Sequence, residues 1–324
     1  MKFSKKGREI SAVAIGGGTG LPIVLKSLKG YADEITAVVT VADDGGSSGR
    51  IRRELGILPP GDIRNCLMAL ADTEPIINDI FQYRFKNGEL AGHSLGNLVL
   101  AALADIKGDF IEALSEVSDF LKLKGSVLPS TVEDIVLYAK TKNGEFIEGQ
   151  SKITKSRVCY NNNIKTVHIE PEDAQAYSEA VKAIEVADQI ILGPGSLFTS
   201  IIPNLLIKGI QEALCKSKAL KVFVCNVAAQ SGETDGFSAA DHLEAILRHI
   251  SRNFVDVMIV NSNFDGLIQK GLIPVKIDKK HILKHGTKLL IEDVADVCVV
   301  GHHDFYKLGQ ALESLWARGP LTEG

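Results

Sequence analysis

The stretch SAVAIGGGTGLP, residues 11–22, contains the pattern from which the fold can be predicted. A β-prone apolar run, Ser11 to Ile15, leads into the glycine cluster 16–20, and Leu21 to Leu28 then has the composition of a helix. A second β-branched run, Ile35 to Val41, follows. Strand, glycine turn, helix and strand form the opening of a doubly wound parallel sheet, so the sequence predicts an α/β protein.

The glycine cluster also predicts a phosphate site. The dinucleotide fingerprint G-x-G-x-x-G would need a glycine at position 21, where this chain has Leu21 and then Pro22, so this is not the standard nicotinamide motif. Glycines between a strand and a helix let backbone N–H groups approach an anion, and four glycines in five residues exceed the need of a tight turn. The ligand contacts predicted here are Gly17, Gly18, Thr19 and Gly20.

Two adjacent acids, Asp43 and Asp44, follow the second predicted strand. At this position of a Rossmann-like sheet a carboxylate can accept a ribose hydroxyl, whereas two carboxylates beside a phosphate can hold Mg²⁺. Neighbouring side chains of a strand point to opposite faces, so only a turn such as Gly45-Gly46 could direct both at one ligand. We predict Asp43 and Asp44 as metal ligands and Ser47 as a ligand contact, with a solvated turn as the alternative.

Two further polar, glycine-containing loops follow predicted strands, at 193–196 after Gln189–Leu192 and at 226–236 after Lys221–Cys225. The carboxyl ends of parallel strands share one edge of the sheet, where ligands of open α/β sheets bind. Together with the two loops already described, these loops predict one composite ligand site. The additional predicted contacts are Asn97, Gly193, Gly195, Ser196, Asn226, Gln230 and Glu233.

The remaining pattern predicts helices around the sheet and a small β-rich insertion. Asp62 has the position of an N-cap after a Pro-Pro-Gly turn, and Ser94 that of an N-cap before an apolar helix. From 126 to 170 the period changes to that of strands, with a hairpin turn at Asn143-Gly144. A helix is predicted over 171–186, after which the α/β alternation returns.

The composition restricts the class of protein. The chain has 324 residues and a formal net charge of −4, so a nucleic-acid-binding surface is not expected. Glycines and prolines interrupt the uncharged stretch 189–207, and residues 1–10 lack the pattern of a signal peptide, so we expect a cytoplasmic protein without a membrane span. The cysteines form no C-x-x-C pair and are expected to be buried free thiols. They are Cys66, Cys159, Cys215, Cys225 and Cys298.

The histidines indicate less about the chemistry. His93 is equally compatible with a ligand contact and with a capping role. The consecutive His302, His303 and Asp304 lack the spacing of a metal site, and we interpret them as residues at the edge of the ligand site or on the surface. The sequence shows no Ser/His/Asp nucleophile pattern.

Six motifs make the chain resemble a known family. They are GGGTG at 16–20, TVADDGGSSGR at 40–50, PPGDIRNCL at 59–67, GHSLGNL at 92–98, GPGSLFTSIIPNLL at 193–206 and QSGETDGFSAADH at 230–242. On these residues the chain resembles the CofD-like family, and within it the YvcK branch of bacterial gluconeogenesis factors. The resemblance implies a three-layer Rossmann-like parallel sheet in a single domain over 1–324, with the segment 126–170 as an insertion within it.

The resemblance implies two kinds of function. CofD-type relatives are Mg²⁺-dependent transferases that move a phospholactyl-type group from a guanosine diphosphate donor onto a deazaflavin, and acids matching Asp43 or Asp44 are associated with the metal. Members of the YvcK branch bind UDP-N-acetylglucosamine and are needed for cell shape and for growth on gluconeogenic carbon. The branch usually has Arg-His-Asp where this chain has His302-His303-Asp304, so we expect weaker UDP-sugar binding or a different nucleotide.

Our leading hypothesis from the sequence is a regulatory protein that binds a nucleotide sugar of the UDP-N-acetylglucosamine type, with Mg²⁺ as cofactor. A Mg²⁺-dependent transferase with a nucleoside diphosphate donor is the alternative, and the pocket pattern alone would also admit NAD. We expect a small-molecule nucleotide as the partner and no nucleic acid, and the sequence leaves open whether the chain forms a homo-oligomer.

Overall fold

Seven parallel strands form the central sheet of the protein. The computed structural model describes residues 9–155, 164–250 and 253–318. Within these residues the strand order of the large sheet is β10-β9-β8-β7-β1-β2-β3, and every neighbouring pair is parallel. Its strands are β1 Ser11–Gly16, β2 Glu34–Val39, β3 Ser126–Pro129, β7 Gln189–Leu192, β8 Leu220–Val224, β9 Val257–Asn261 and β10 Lys288–Glu292.

Helices flank this sheet, which confirms the predicted Rossmann-like α/β architecture. The helices before the midpoint of the chain are α1 Gly20–Leu28, α2 Gly46–Leu55, α3 Pro60–Leu70, α4 Pro75–Gln82, α5 Leu95–Lys107, α6 Phe110–Phe120 and α7 Gln150–Lys155. Those after it are α8 Ser178–Val186, α9 Ile202–Leu206, α10 Ile210–Lys216, α11 Ala239–His249, α12 Asp265–Gln269, α13 Lys279–Lys284 and α14 Phe305–Arg318.

The strand order reverses at β1, and this reversal determines where a ligand can enter. From β1 the chain builds outward through β2 to β3, and it then returns to the other side of β1 as β7. The loops that leave β1 and β7 therefore run to opposite sides and open a crevice at the carboxyl edge of the sheet. Residues 12–15 of β1 are fully buried because helices cover both faces of a parallel sheet.

The segment 126–170 divides between the two sheets, which corrects the predicted boundary of the insertion. Its first strand, β3, pairs with β2 at the edge of the large sheet. The insertion proper is a three-stranded antiparallel sheet in the order β5-β4-β6, formed by β4 Val136–Thr141, β5 Phe146–Glu148 and β6 Ile164–Glu170, with α7 between β5 and β6. The predicted hairpin is confirmed, because Gly144 has a φ of 88° in the turn between β4 and β5.

Two predicted helix starts are wrong. Helix α3 begins at Pro60 with Pro59 as its N-cap, so Asp62 lies in the first turn, where its carboxylate bonds to another loop. Helix α8 begins at Ser178 and not at 171, because the backbone groups of residues 174 and 176 pair with Lys208. The N-cap predicted for α5 is confirmed at Ser94.

The cysteine prediction holds only in part. Cys66 and Cys225 are buried free thiols, whereas Cys215 is half-buried and Cys298 is exposed. Cys159 lies outside the described residues. Most of the segment 1–10, for which no signal peptide is predicted, lies outside them as well. Within the described ranges, no helix has the length and apolar character needed to cross a bilayer.

Candidate functional site

The loops after β1, β7 and β8 meet around one cavity of about 520 Å³ at the carboxyl edge of the sheet. Three of the four loops that the strand ends predict for the composite site line this cavity, the loop after β2 does not, and α7 of the insertion and the segment 300–303 contribute to its wall. The predicted ligand contacts that line it are Gly18, Thr19, Gly20, Gly195, Ser196, Asn226 and Gln230. Those that lie outside the lining are Gly17, Asp43, Asp44, Ser47, Asn97, Gly193 and Glu233.

The glycine cluster is held in place by close packing. A Cβ on Gly20 would overlap the Pro194 carbonyl oxygen, so the loops after β1 and β7 can touch only because position 20 is glycine. Gly18 has a φ of 63°, which favours glycine over any residue with a side chain. The cluster therefore has both a structural role, in joining the two loops, and a lining role at the start of α1.

Asp62 reaches the glycine cluster from α3, a contact that the sequence pattern does not predict. Its Oδ2 accepts a hydrogen bond from the Gly18 N–H at 2.7 Å. Burial, reinforced by the charge of Asp43, raises the pKa of Asp62 to about 6. An acid that follows a Pro-Pro-Gly turn has the sequence pattern of an ordinary helix cap, so the pattern does not reveal this contact.

Asp43 and Asp44 separate in space. Asp43 Oδ1 accepts a hydrogen bond from the Gly45 N–H at 3.0 Å, and burial is the main cause that raises the pKa of Asp43. Asp44 Oδ1 accepts instead from the Ser151 N–H of α7 at 2.7 Å. The charge of Asp44 still contributes to the raised pKa of Asp43, and the charge of Asp43 in turn contributes to the raised pKa of Asp62.

Asp43 and Asp62 form an acid pair, in which the charge of Asp43 adds to the effect of burial on the pKa of Asp62. Within the described residues neither carboxylate forms an ion pair with a lysine or arginine, and each is destabilised by burial in its charged form. Mg²⁺ is commonly held by one or two carboxylates together with waters and substrate phosphates. No group of three or more possible metal ligands occurs in the described ranges, so any cation here would need phosphate or water oxygens as well.

Two predicted ligand contacts turn out to position the loop after β7. The Asn226 side chain accepts from the Gly195 N–H at 3.1 Å and donates to the Gly195 carbonyl oxygen at 2.9 Å. Buried Glu233 accepts hydrogen bonds from the hydroxyls of Ser196 and Thr199. Burial raises the pKa of Glu233, and these hydrogen bonds oppose the rise. A π-helical turn, residues 197–201, brings the hydroxyls of 199 and 200 to the cavity wall.

Ser47 and Asn97 belong to a buried polar network behind the cavity. Asn97 Nδ2 donates to Ser47 Oγ at 3.1 Å, and His93 Nδ1 lies 3.1 Å from the same oxygen. The guanidinium of Arg64 donates to Asn97 Oδ1 at 3.1 Å, and burial lowers the pKa of Arg64 to about 10. This network fixes the start of α2 against α5, which favours a structural role for His93 over a ligand contact.

The two neighbouring histidines, His302 and His303, have different environments. His302 is exposed and lines the cavity, as expected for the edge of the ligand site. His303 is buried, its Nε2 lies 3.0 Å from the Cys225 carbonyl oxygen, and burial lowers its pKa to about 4, so it is a neutral donor in the core. Asp304 accepts from the N–H groups of residues 306 and 307 at the start of α14.

Comparison with known proteins identifies the family. The family described as 2-phospho-L-lactate transferase CofD matches residues 12–295, which include β1 through the segment before α14. The chain belongs to the CofD-like family. The relatives place it in the YvcK branch of that family, because many of them bear the name gluconeogenesis factor.

Individual relatives are similar over most of the chain. A putative gluconeogenesis factor of Clostridium acetobutylicum is 53% identical over 84% of this chain, and this match spans only 58% of the relative's own length. A gluconeogenesis factor of Bacillus subtilis is 43% identical over 95% of this chain and 99% of its own. A crystal structure of a member of the UPF0052 family from Bacillus halodurans has a TM-score of 0.89 and 42% identity, covering 95% of this chain and 99% of that one.

Proposed function

We propose that this protein binds a nucleotide sugar of the UDP-N-acetylglucosamine type, with Mg²⁺, and acts through that ligand as a regulator. The observation that carries this proposal is the composition of the cavity wall. Hydroxyl, amide and imidazole groups supply its polar side chains, and no lysine, arginine, aspartate or glutamate occurs among its described lining residues. Such a wall suits the neutral, hydrogen-bonding surface of a sugar and a ribose.

A diphosphate in this cavity would be bound mainly through backbone. The start of α1 offers backbone N–H groups other than that of Gly18, which already donates to Asp62, and charge-assisted bonds of this kind contribute about 1.5–3 kcal/mol each. Without a lysine or arginine in the wall, the remaining charge of the diphosphate needs a cation, for which Asp62 at the glycine cluster and the interacting Asp43 are the candidate carboxylates. When bound, Mg²⁺ would neutralise phosphate charge; the residues of the chain orient and enclose the ligand.

The biological part of the proposal rests on the relatives. Several of them are named gluconeogenesis factor, and we propose the same contribution to growth on gluconeogenic carbon, together with the role in cell shape that the resemblance to the YvcK branch implies. Replacing the chromosomal gene by an Asp43→Asn allele tests this part. We expect slower growth on a gluconeogenic carbon source and unchanged growth on glucose.

A transferase is the second candidate, and the acid pair favours it because metal-assisted transfer from a nucleoside diphosphate needs carboxylates beside the phosphates. Against it, the only buried imidazole in the described lining, His303, donates through Nε2 to the Cys225 carbonyl, and burial lowers its pKa to about 4, which makes it a weak base. Catalysis would also need charge stabilisation at the departing diphosphate. Removing one contact of this kind commonly lowers the rate about 10²–10³-fold.

Calorimetry followed by chromatography separates the candidates. UDP-N-acetylglucosamine, UDP, GDP and NAD are titrated in Mg²⁺ and in EDTA, and stoichiometric mixtures are then incubated for hours. We expect saturable binding of the UDP-sugar that strengthens in Mg²⁺, with intact ligand recovered. Steady release of nucleoside diphosphate or monophosphate that disappears in Asp43→Asn would establish an enzyme instead, and preferential binding of NAD would contradict the nucleotide-sugar proposal.

A further inference from the structure

Asp44 lies beside the acid pair, but its carboxylate contacts the insertion. Its Oδ1 accepts the Ser151 N–H at 2.7 Å, and a Cβ on Gly149 would overlap its Oδ2, so the carboxylate fits tightly against the turn that starts α7. Gly149 has a φ of 89°, which keeps that turn open to the carboxylate. Within the described residues this is the only side-chain hydrogen bond between the loop after β2 and α7.

Helix α7 in turn supplies part of the cavity wall. Gln150 and Thr154 line the cavity opposite the glycine cluster. The Thr154 hydroxyl donates to backbone carbonyl oxygens of its own helix at 3.2 Å, so its donor is already used. The Gln150 side-chain amide forms no hydrogen bond to another described residue, which leaves both its donor and its acceptor available to a ligand.

We propose that Asp44 is a positioning residue that docks α7 against the cavity, and that α7 binds the sugar of the bound nucleotide sugar through the Gln150 amide. This inference rests on the proposed function and assigns the sugar end of the ligand to the insertion. An amide reads hydroxyl and acetamido groups equally well, because it can donate to one oxygen while accepting from a neighbouring O–H or N–H. The diphosphate end is left to the glycine cluster and the acid pair.

The proposal gives Asp44 a different role from Asp43, and the choice of substitution distinguishes them. Asp44→Asn retains an amide oxygen that can accept the Ser151 N–H, whereas Asp44→Ala does not. A positioning role therefore predicts normal binding in the Asn variant and impaired binding in the Ala variant. A metal-ligand role predicts that both variants lose the strengthening by Mg²⁺.

The test measures affinity for UDP-N-acetylglucosamine, UDP-glucose and UDP in the full chain, with Asp105→Ala and Gln82→Ala as exposed controls. Gln150→Ala should weaken the preferred UDP-sugar about fivefold, the equivalent of one neutral hydrogen bond, and leave UDP unchanged. Asp44→Ala should weaken the UDP-sugar about tenfold or more, UDP less than about twofold, and preserve the effect of Mg²⁺. Equal losses for UDP and the UDP-sugar, or loss of the Mg²⁺ effect in Asp44→Asn, would overturn the proposal.

Hydrogen exchange of the unliganded protein tests the docking of α7 independently of any ligand. Asp44→Ala should accelerate exchange of the Ser151 amide and its neighbours in α7, and Asp44→Asn should restore slow exchange. Unchanged exchange in Asp44→Ala would refute the positioning role even if UDP-sugars bind. Failure of the unaltered protein to bind any UDP compound, with the exchange result as expected, would refute the proposed function and the choice of ligand while upholding the docking.

Discussion

Replacing Asp62 by asparagine should stabilise the protein at neutral pH, because the buried carboxylate is held in an unfavourable charged form. Its pKa is about 6 in the folded chain against an ordinary value of 3.8. A carboxyl whose folded pKa is raised binds its proton more tightly in the folded state, so its contribution to stability is fully present below about pH 3.8 and is lost as the pH rises through about 6. The difference between these pKa values corresponds to roughly 3 kcal/mol above about pH 7.

The asparagine amide oxygen can still accept the Gly18 N–H, so the glycine cluster keeps its contact and only the charge is removed. Urea unfolding of Asp62→Asn and the unaltered protein, from about pH 4 to about pH 8, should show a free energy of unfolding that favours the variant by roughly 2–3 kcal/mol at the upper end and converges at the lower end. Asp105→Asn, on the exposed face of α5, is the control and should show no such difference. A variant that is less stable at neutral pH, or a difference independent of pH, would refute the reasoning.

Three further results are expected. Mg²⁺ should strengthen UDP binding in calorimetry and Asp43→Asn should abolish that effect, so equal affinities in Mg²⁺ and EDTA for the unaltered protein would contradict the metal site. Gly20→Ala should lower the free energy of unfolding by about 2–4 kcal/mol, because its Cβ would overlap the Pro194 carbonyl oxygen. The control Gly266→Ala should be neutral, because no atom lies closer than 3.9 Å to the added Cβ. Equal effects of the two substitutions in a urea titration would exclude close packing as the cause. Asn226→Ala should weaken nucleotide binding about tenfold, because it frees the peptide that fixes the loop after β7, and unchanged affinity in calorimetry would show that the loop holds its shape without it.

The parallel sheet and its ligand edge could be predicted because their causes are local in the chain. Strand β1 is apolar after its first residue, Ser11, since a strand covered on both faces needs no polar face, and the glycines after it mark the turn into α1. The order of strands and helices then restricts the loops after β1, β2, β7 and β8 to one edge. The insertion was predicted less well, because β3 has the composition of the strands that follow it and only pairing with β2 assigns it to the large sheet.

The candidate site was predictable at the level of loops and less so at the level of side chains. Asn226 and Glu233 lie in the expected loops, but their polar atoms bond to the loop after β7, so Asn226 holds that loop from within the cavity wall and Glu233 holds it from behind. A polar residue at a strand end has the same sequence pattern whether it faces a ligand or holds a neighbouring loop. The pattern cannot distinguish the two, because the partner is supplied by a segment distant in the chain.

The fold class, the edge of the sheet expected to bind a ligand and the glycine cluster follow from the chain's local pattern, since each depends on residues within one β–α unit. Which acids come together depends on the packing of distant segments. Asp43 and Asp44 are neighbours in the chain, yet Asp43 accepts a hydrogen bond within its own turn and Asp44 accepts one from α7. Asp62 arrives from α3 at the glycine cluster, where the charge of Asp43 contributes to its raised pKa. Side-chain direction at a turn depends on what packs against it, and that packing is formed by segments many residues away.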